Sequence, residues 1–251
     1  MNICLFSQEE ITRPLALNDE RAVHLIKILH KKEGDSFHAG IINGQAGTAV
    51  ITQIESGKSI HFTFTPETDG KPLYPLIMII GFPRPIQLKR LLRDMAGLGV
   101  CQVHLVGTEL GEKSYLKADL ATTQAGTKML LDGTVQAAGT HIPLLVRHNS
   151  LKECLQYLDN SKDIHDKVKL CMGLDNVKPE QSLSQFLVNN EQQKPSLYIA
   201  AIGSERGWTD NERKILTEHG FTLLGMGNRI LRTETAATVS ASIILSAMGV
   251  L

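Results

Sequence analysis

The pattern of apolar and polar positions changes character near residue 70. Before it, short β-branched stretches at 36–40, 48–54 and 59–65 are split by Gly34, Asn43-Gly44, Gly47 and Ser56-Gly57, which predicts strands joined by turns. One helix interrupts them at 19–30, where Ala22, Leu25, Ile26 and Leu29 recur at the helical period. His24, Lys27 and Lys31 fall on another face, three and four residues apart. That stripe reads either as a solvated face or as a surface for a polyanion. The Pro- and Gly-bearing stretch 66–75 reads as a linker, giving a first domain over 1–70 and a second over 74–251.

Beyond the linker the pattern alternates between apolar runs and helical periods. Residues 76–82 are continuously apolar, as a strand buried on both faces requires. The helix predicted over 85–98 sets Leu88, Leu91, Leu92 and Met95 on one face and leaves Lys89, Arg90 and Arg93 outward, with Gly99 closing it. Strands follow at 102–106, 143–147, 168–174, 197–203 and 221–226, with helical stretches at 116–138 and 150–158. Thr209 and Glu212 stand at capping-box spacing and Gly220 suits the end of that helix. Such alternation predicts an α/β domain with a parallel sheet covered on both faces.

Composition narrows the class. With 251 residues, 42% of them apolar and 21% charged, the chain suits a soluble globular protein of one large or two modest domains. No apolar run is long enough to span a bilayer, and the N-terminus lacks a basic segment followed by an apolar one, so a cytoplasmic, membrane-free protein is expected. Cys4, Cys101, Cys154 and Cys171 are too scattered for a zinc or redox motif and read as reduced core residues. The histidines are dispersed, with His141 and His148 read as surface or core residues, so no metal is expected. Net charge is zero, and acidic residues outnumber basic ones over 1–70. Any nucleic-acid contact must therefore come from a local patch.

The candidate chemistry sits near the C-terminal end. Two predicted strands end in glycine, at Gly203 and Gly225, where the missing Cβ lets backbone approach a ligand. Arg232 and Glu234 bring opposite charges to the start of an almost all-small helix. Gly225-Met226-Gly227 lacks the third glycine of a dinucleotide fingerprint. Taken singly, each glycine is as readily an ordinary tight turn.

These segments carry a family resemblance. Ile202-Gly203-Ser204-Glu205-Arg206-Gly207-Trp208 resembles the Ile-Gly-Pro-Glu-Gly-Gly-Phe loop of the bacterial 16S rRNA uridine-N3 methyltransferases, a family of the trefoil-knotted SPOUT methyltransferases. Met226-Gly227-Asn228-Arg229-Ile230-Leu231-Arg232-Thr233-Glu234-Thr235-Ala236 resembles their Leu-Gly-Pro-Arg-Ile-Leu-Arg-Thr-Glu-Thr-Ala run. The likeness is strong over the last fifty residues and faint elsewhere. An early Arg is missing from 2–6, and Leu29-His30 replaces the usual Leu-Arg, so charge is lost from the presumed RNA surface.

The resemblance implies a PUA-like RNA-binding β-barrel followed by a knotted α/β domain that dimerises through the small-residue helix 238–248; intrachain packing is the other reading of that helix. It implies S-adenosylmethionine bound, without metal, among the loops at 171–174, 203–207 and 224–233. Gly173, Leu174, Gly203, Ser204, Glu205, Gly207, Met226, Gly227, Leu231 and Thr233 are then the cofactor residues. His24, Lys27, Lys31, Arg84 and Lys89 become the RNA contacts, with 16S rRNA or the small ribosomal subunit as partner. Arg232 becomes a stabiliser of charge on the uracil oxygens, and Glu234 either orients it or takes the N3 proton. These two side chains also read as a pair that merely holds the loop. Methylation of another RNA atom, such as a ribose 2′-hydroxyl, and a non-catalytic RNA-binding relative stay open.

Overall fold

In the computed structural model, which describes residues 2–117 and 123–251, the turn-rich first segment forms a five-stranded sheet. The chain divides into two units, Met1–Pro72 with Leu131–Ile142, and Leu73–Leu130 with Pro143–Leu251. Strands β1 (Cys4–Phe6), β2 (Leu15–Ala16), β3 (Ser36–Ile41), β4 (Ala46–Glu55) and β5 (Ser59–Thr68) lie in the order β1-β3-β4-β5-β2. Only the β1–β3 pair is parallel. Phe6, Leu25, Phe37, Ile51 and Ile60 fill the core of this unit. From the segment Leu131–Ile142, the Thr140 carbonyl accepts from the Asn43 N–H at 2.8 Å and its hydroxyl donates to the Gly44 carbonyl at 2.7 Å.

Two details depart from the pattern-based reading. Pro66, placed in the linker, belongs to β5 opposite Gly47. Only Ser59 and Ile60 of β5 pair with β2, so beyond them that edge has no partner strand among the described residues and a residue without an N–H is tolerated there. The predicted helix 19–30 is also not regular. It runs as α1 (Glu20–Val23), capped by Asp19, and then as one π-wound turn over His24–Ile28, closed by the Leu29 N–H donating to the His24 carbonyl at 2.9 Å. The wider turn carries Leu29, expected in the core, round to 45% exposure.

The second unit is built on seven parallel strands. They are β6 (Tyr74–Gly81), β7 (Val100–Val106), β8 (Leu144–His148), β9 (Lys169–Leu174), β10 (Gln181–Ser182), β11 (Leu197–Ile202) and β12 (Thr222–Gly225). Their order is β10-β12-β9-β11-β6-β7-β8, and every neighbouring pair is parallel. The helices of this unit are α2 (Pro85–Leu98), α4 (Leu151–Asn160), α5 (Lys162–His165), α6 (Leu183–Asn189), α7 (Asp210–Glu218) and α8 (Thr233–Ala247), and α3 (Thr123–Gln136) belongs to it as far as Leu130. The α/β expectation holds. Residues 118–122 of the helical stretch predicted at 116–138 lie outside the described residues.

Local chemistry explains the elements. Leu88, Leu91, Leu92 and Met95 of α2 are buried as their spacing requires, Lys89, Arg90 and Arg93 are exposed, and Gly99 closes the helix at φ 75°. The Thr209–Glu212 capping box is present in full. In α8 the small residues Ala237, Ser240 and Ala241 let that helix pack closely beside α2, β6 and β11. Strands β1, β2 and β10 are too short to show alternation, and α6, opened by Ser182, escaped the helical reading. Among the described residues none of the four cysteines is in a disulfide; Cys4 and Cys154 are buried and the others partly so.

Candidate active site

Strands β12, β9 and β11 are neighbours in the sheet, so the loops leaving their C-terminal ends meet at one place. Three bonds lock them together. The Asp175 N–H donates to the Leu224 carbonyl at 2.9 Å, the Trp208 indole N–H to the Leu174 carbonyl at 3.1 Å, and the Thr233 hydroxyl to the Gly203 carbonyl at 3.4 Å. Between them opens a cleft lined by Leu174, Gly203, Ser204, Glu205, Gly207, Met226, Gly227, Leu231 and Thr233. Gly173 does not line it. It lies inside β9, where a Cβ would press on the Leu223 side chain at 3.1 Å.

The glycines work through the backbone. A Cβ on Gly203 would stand 2.8 Å from the Gly207 carbonyl carbon, so the loop 203–207 folds on itself only without one. Gly207 and Gly227 hold φ of 70° and 100°, values that L-residues rarely adopt.

Asp175, unforeseen in the sequence, also lines the cleft, with its carboxylate buried beneath the loop. Arg213 of α7 grips it through two N–H groups, at 2.8 and 3.2 Å, and the N–H groups of Lys178 and Val177 donate to the same carboxylate. Burial alone would raise this carboxyl, but those donors outweigh it and hold it below its ordinary range. Nothing local in the sequence marked the pair, whose members are 38 positions apart. Glu212 does more than cap, since its carboxylate also accepts the Glu109 N–H at 2.9 Å. Next to Glu109, the Thr108 hydroxyl donates to the Ser204 hydroxyl at 2.8 Å, tying β7's following loop to the cleft.

A second cleft adjoins the first and shares Glu205, Ile230 and Leu231 with it. Arg84, Gln87, Arg232 and Glu234 complete its walls. Arg84, at the N-terminal end of α2, pairs with Glu205 at 3.0 Å. Among the described residues no ion pair joins Arg232 to Glu234, so both face this cleft uncommitted to each other. Lys89 is exposed on α2 and lines neither cleft.

In the first unit, His24 and Lys31 line one hollow together with Asn2, Phe37, His38 and Thr48. The His24 Nε2 is buried there without a hydrogen-bond partner among the described residues. Lys27 is exposed but stands off the hollow, because the π turn swings it away from the stripe that regular winding predicts.

Known proteins share this architecture. A family model described as an RNA methyltransferase domain matches residues 70–245. The ribosomal RNA small subunit methyltransferase E of Treponema pallidum is 39% identical over 250 residues, spanning 98% of this chain and 91% of that protein. The ribosomal RNA small subunit methyltransferase E 1 of Borreliella burgdorferi is 31% identical over 97% of both chains. Among solved structures, a ribosomal RNA small subunit methyltransferase E from Neisseria gonorrhoeae bound to S-adenosyl methionine superposes with a TM-score of 0.75 at 18% identity, over 98% of this chain and 97% of that one. A putative methyltransferase from Legionella pneumophila with bound cofactor gives a TM-score of 0.74 at 20% identity, over 98% of each chain.

Proposed function

For a chain that belongs to the RNA methyltransferase family, we propose the transfer of a methyl group from S-adenosylmethionine to N3 of a uridine in small-subunit ribosomal RNA. The carrying observation is the pair of adjoining clefts: one built of backbone turns and apolar side chains, the other presenting Arg232 and Glu234. We read the second unit as the knotted SPOUT domain and the first as a PUA-like barrel whose hollow at His24 and Lys31 meets RNA.

The first cleft fits the cofactor's chemistry. Leu174, Met226 and Leu231 offer apolar walls for an adenine ring, and the glycine turns leave backbone N–H and C=O groups to read its edges. When bound, S-adenosylmethionine supplies a methyl group already activated on a sulfonium. This chain's residues then have to align and deprotonate the acceptor. In the second cleft, Arg232 neutralises charge growing on the uracil carbonyl oxygens as N3 loses its proton. Glu234 orients that guanidinium or accepts the proton, directly or through water. The base must leave its stack to enter, which costs a few kcal/mol unless it lies in an exposed segment.

Calorimetry tests the cofactor assignment. One S-adenosylmethionine should bind per chain with a strong chelator present, and loss of binding on chelation would sink the metal-free reading. Gly227→Val should weaken that binding roughly tenfold or more, through backbone strain of about 1–3 kcal/mol at its positive φ. No protein atom lies within 4 Å of a Cβ at Gly227, so the added side chain meets no other part of the protein. Unchanged affinity would place the cofactor elsewhere.

For RNA, replacing Lys31 by Ala should lower the slope of log affinity against log salt by roughly 0.7–0.9, with Lys27→Ala, off the hollow, changing it less and cofactor affinity untouched. An unchanged slope would return that face to solvent and leave Arg84 and Lys89 as the contact surface. A homodimer is part of the same reading. Ser242, Ile243, Ser246 and Ala247 of α8 line an open groove with Leu187, Val188 and Tyr198, on the side of the helix that intrachain packing leaves free.

A further inference from the structure

Away from both clefts, the parallel sheet brings together three side chains that the sequence keeps far apart. His104 of β7 and His148, the last residue of β8, lie on adjacent strands, offset by two in register (Val106 pairs with His148) and so on the same face. The chain turns at once from β8 into α4, and the buried face of that helix returns Cys154 over the strand ends. The two imidazole nitrogens and the thiol sulfur lie within 4.8 Å of one another, and all three side chains are buried.

We infer that His104, His148 and Cys154 form a binding site for a borderline-soft divalent cation, zinc by the chemistry of its ligands. Two imidazoles and a thiol are the donor types that zinc selects. The protons are already arranged for it. The Gln102 side-chain oxygen lies 2.9 Å from the His104 Nε2 and can only accept, so that nitrogen carries the ring's hydrogen. The His104 Nδ1 is therefore left with its lone pair directed at the His148 Nε2, 2.9 Å away. An outer carbonyl oxygen that fixes the tautomer of a ligating imidazole is the usual support of a metal-bound histidine. The Tyr157 ring covers both imidazoles, with centroids 5.6 and 5.4 Å away.

The exchange of protons for the ion balances. Without metal, the His148 Nε2–H donates to the His104 Nδ1, and Cys154 is a thiol. On binding, the thiol proton leaves to solvent and the His148 proton moves from Nε2 to Nδ1 of the same ring. One proton is released per ion. Zinc–nitrogen and zinc–sulfur bonds near 2.0–2.3 Å put tetrahedral ligand atoms roughly 3.3–3.8 Å apart. The nitrogen pair thus widens by a few tenths of an ångström while the thiol closes in. The chain supplies three ligands and leaves a fourth position open. The ion would pin the ends of β7 and β8, where the Gly107 N–H already donates to the His148 carbonyl at 3.1 Å.

The test uses the full-length protein, stripped with a chelator and titrated with zinc and, separately, with cobalt(II). The expected result is one ion per chain, one proton released per zinc, and a cobalt spectrum with a thiolate charge-transfer band. Cys154→Ala should abolish that band and weaken zinc binding more than about a hundredfold, and Gln102→Leu should weaken it about 10- to 100-fold. Cys171→Ala, remote from the cluster, should change neither. A wild-type cobalt complex without the thiolate band overturns the site even if Cys154→Ala fails to fold. So does zinc affinity that survives Cys154→Ala unchanged.

Discussion

Replacing Arg232 by Ala should cut single-turnover methylation about a hundredfold or more while leaving S-adenosylmethionine affinity nearly intact. The structure separates the two readouts. Arg232 lines the second cleft and not the first, and its side chain makes no capping bond to α8. Its backbone carbonyl accepts the Ala236 N–H at 2.8 Å, a contact that Ala preserves. What disappears is the guanidinium beside the proposed base site. Glu234→Gln discriminates further: if Glu234 only orients Arg232, the loss is smaller and independent of pH. If it takes the proton, raising the pH partly rescues the variant, because more uracil ionises unaided. Should Arg232→Ala lose the cofactor or the fold while methylation per bound cofactor stays normal, Arg232 is a structural clamp.

Arg213→Ala should destabilise the protein by about 3–5 kcal/mol, because it strands the buried Asp175 carboxylate. Lysine at this position keeps the charge but not the two-pronged grip, so Arg213→Lys should recover only part of the loss. The pH dependence follows from the direction of the Asp175 shift. Its carboxyl is held below the unfolded value, so the stabilisation is present above the ordinary aspartate range and is lost as pH falls through the folded value. In Arg213→Ala that acid-side loss should shrink, since burial, which raises the carboxyl, is then opposed only by the Lys178 and Val177 N–H donors. Denaturant titrations of both proteins across the acid range measure it. Equal stability at neutral pH would show that the pair contributes nothing net.

Much of the fold was legible because the parallel strands are apolar throughout and the helices of the second unit carry clear periods. The α2 face of Leu88, Leu91, Leu92 and Met95 and the Thr209–Glu212 cap are local facts, and they appear as read. The π turn at His24–Ile28 was not legible, since no residue type marks an inserted turn, and it moved Leu29 outward and split Lys27 from His24 and Lys31. The loops at 203–207 and 224–233 were found because glycine and charge coincide at strand ends. Gly173, which the family resemblance implied, sits inside β9 with its Cβ direction toward Leu223 and does not line the cleft. Asp175 with Arg213, and Cys154 with His104 and His148, depend on pairing set by the sheet and leave no mark in local spacing.

Nucleoside mapping of small-subunit ribosomal RNA shows which atom is methylated. RNA from cells carrying this gene, from cells lacking it, and from the deletion complemented with Arg232→Ala would be digested and resolved by mass. One 3-methyluridine should disappear with the gene, return with the wild-type chain and stay absent or strongly reduced with Arg232→Ala. An unchanged 3-methyluridine, or a 2′-O-methyl nucleoside vanishing in its place, would contradict methylation at N3.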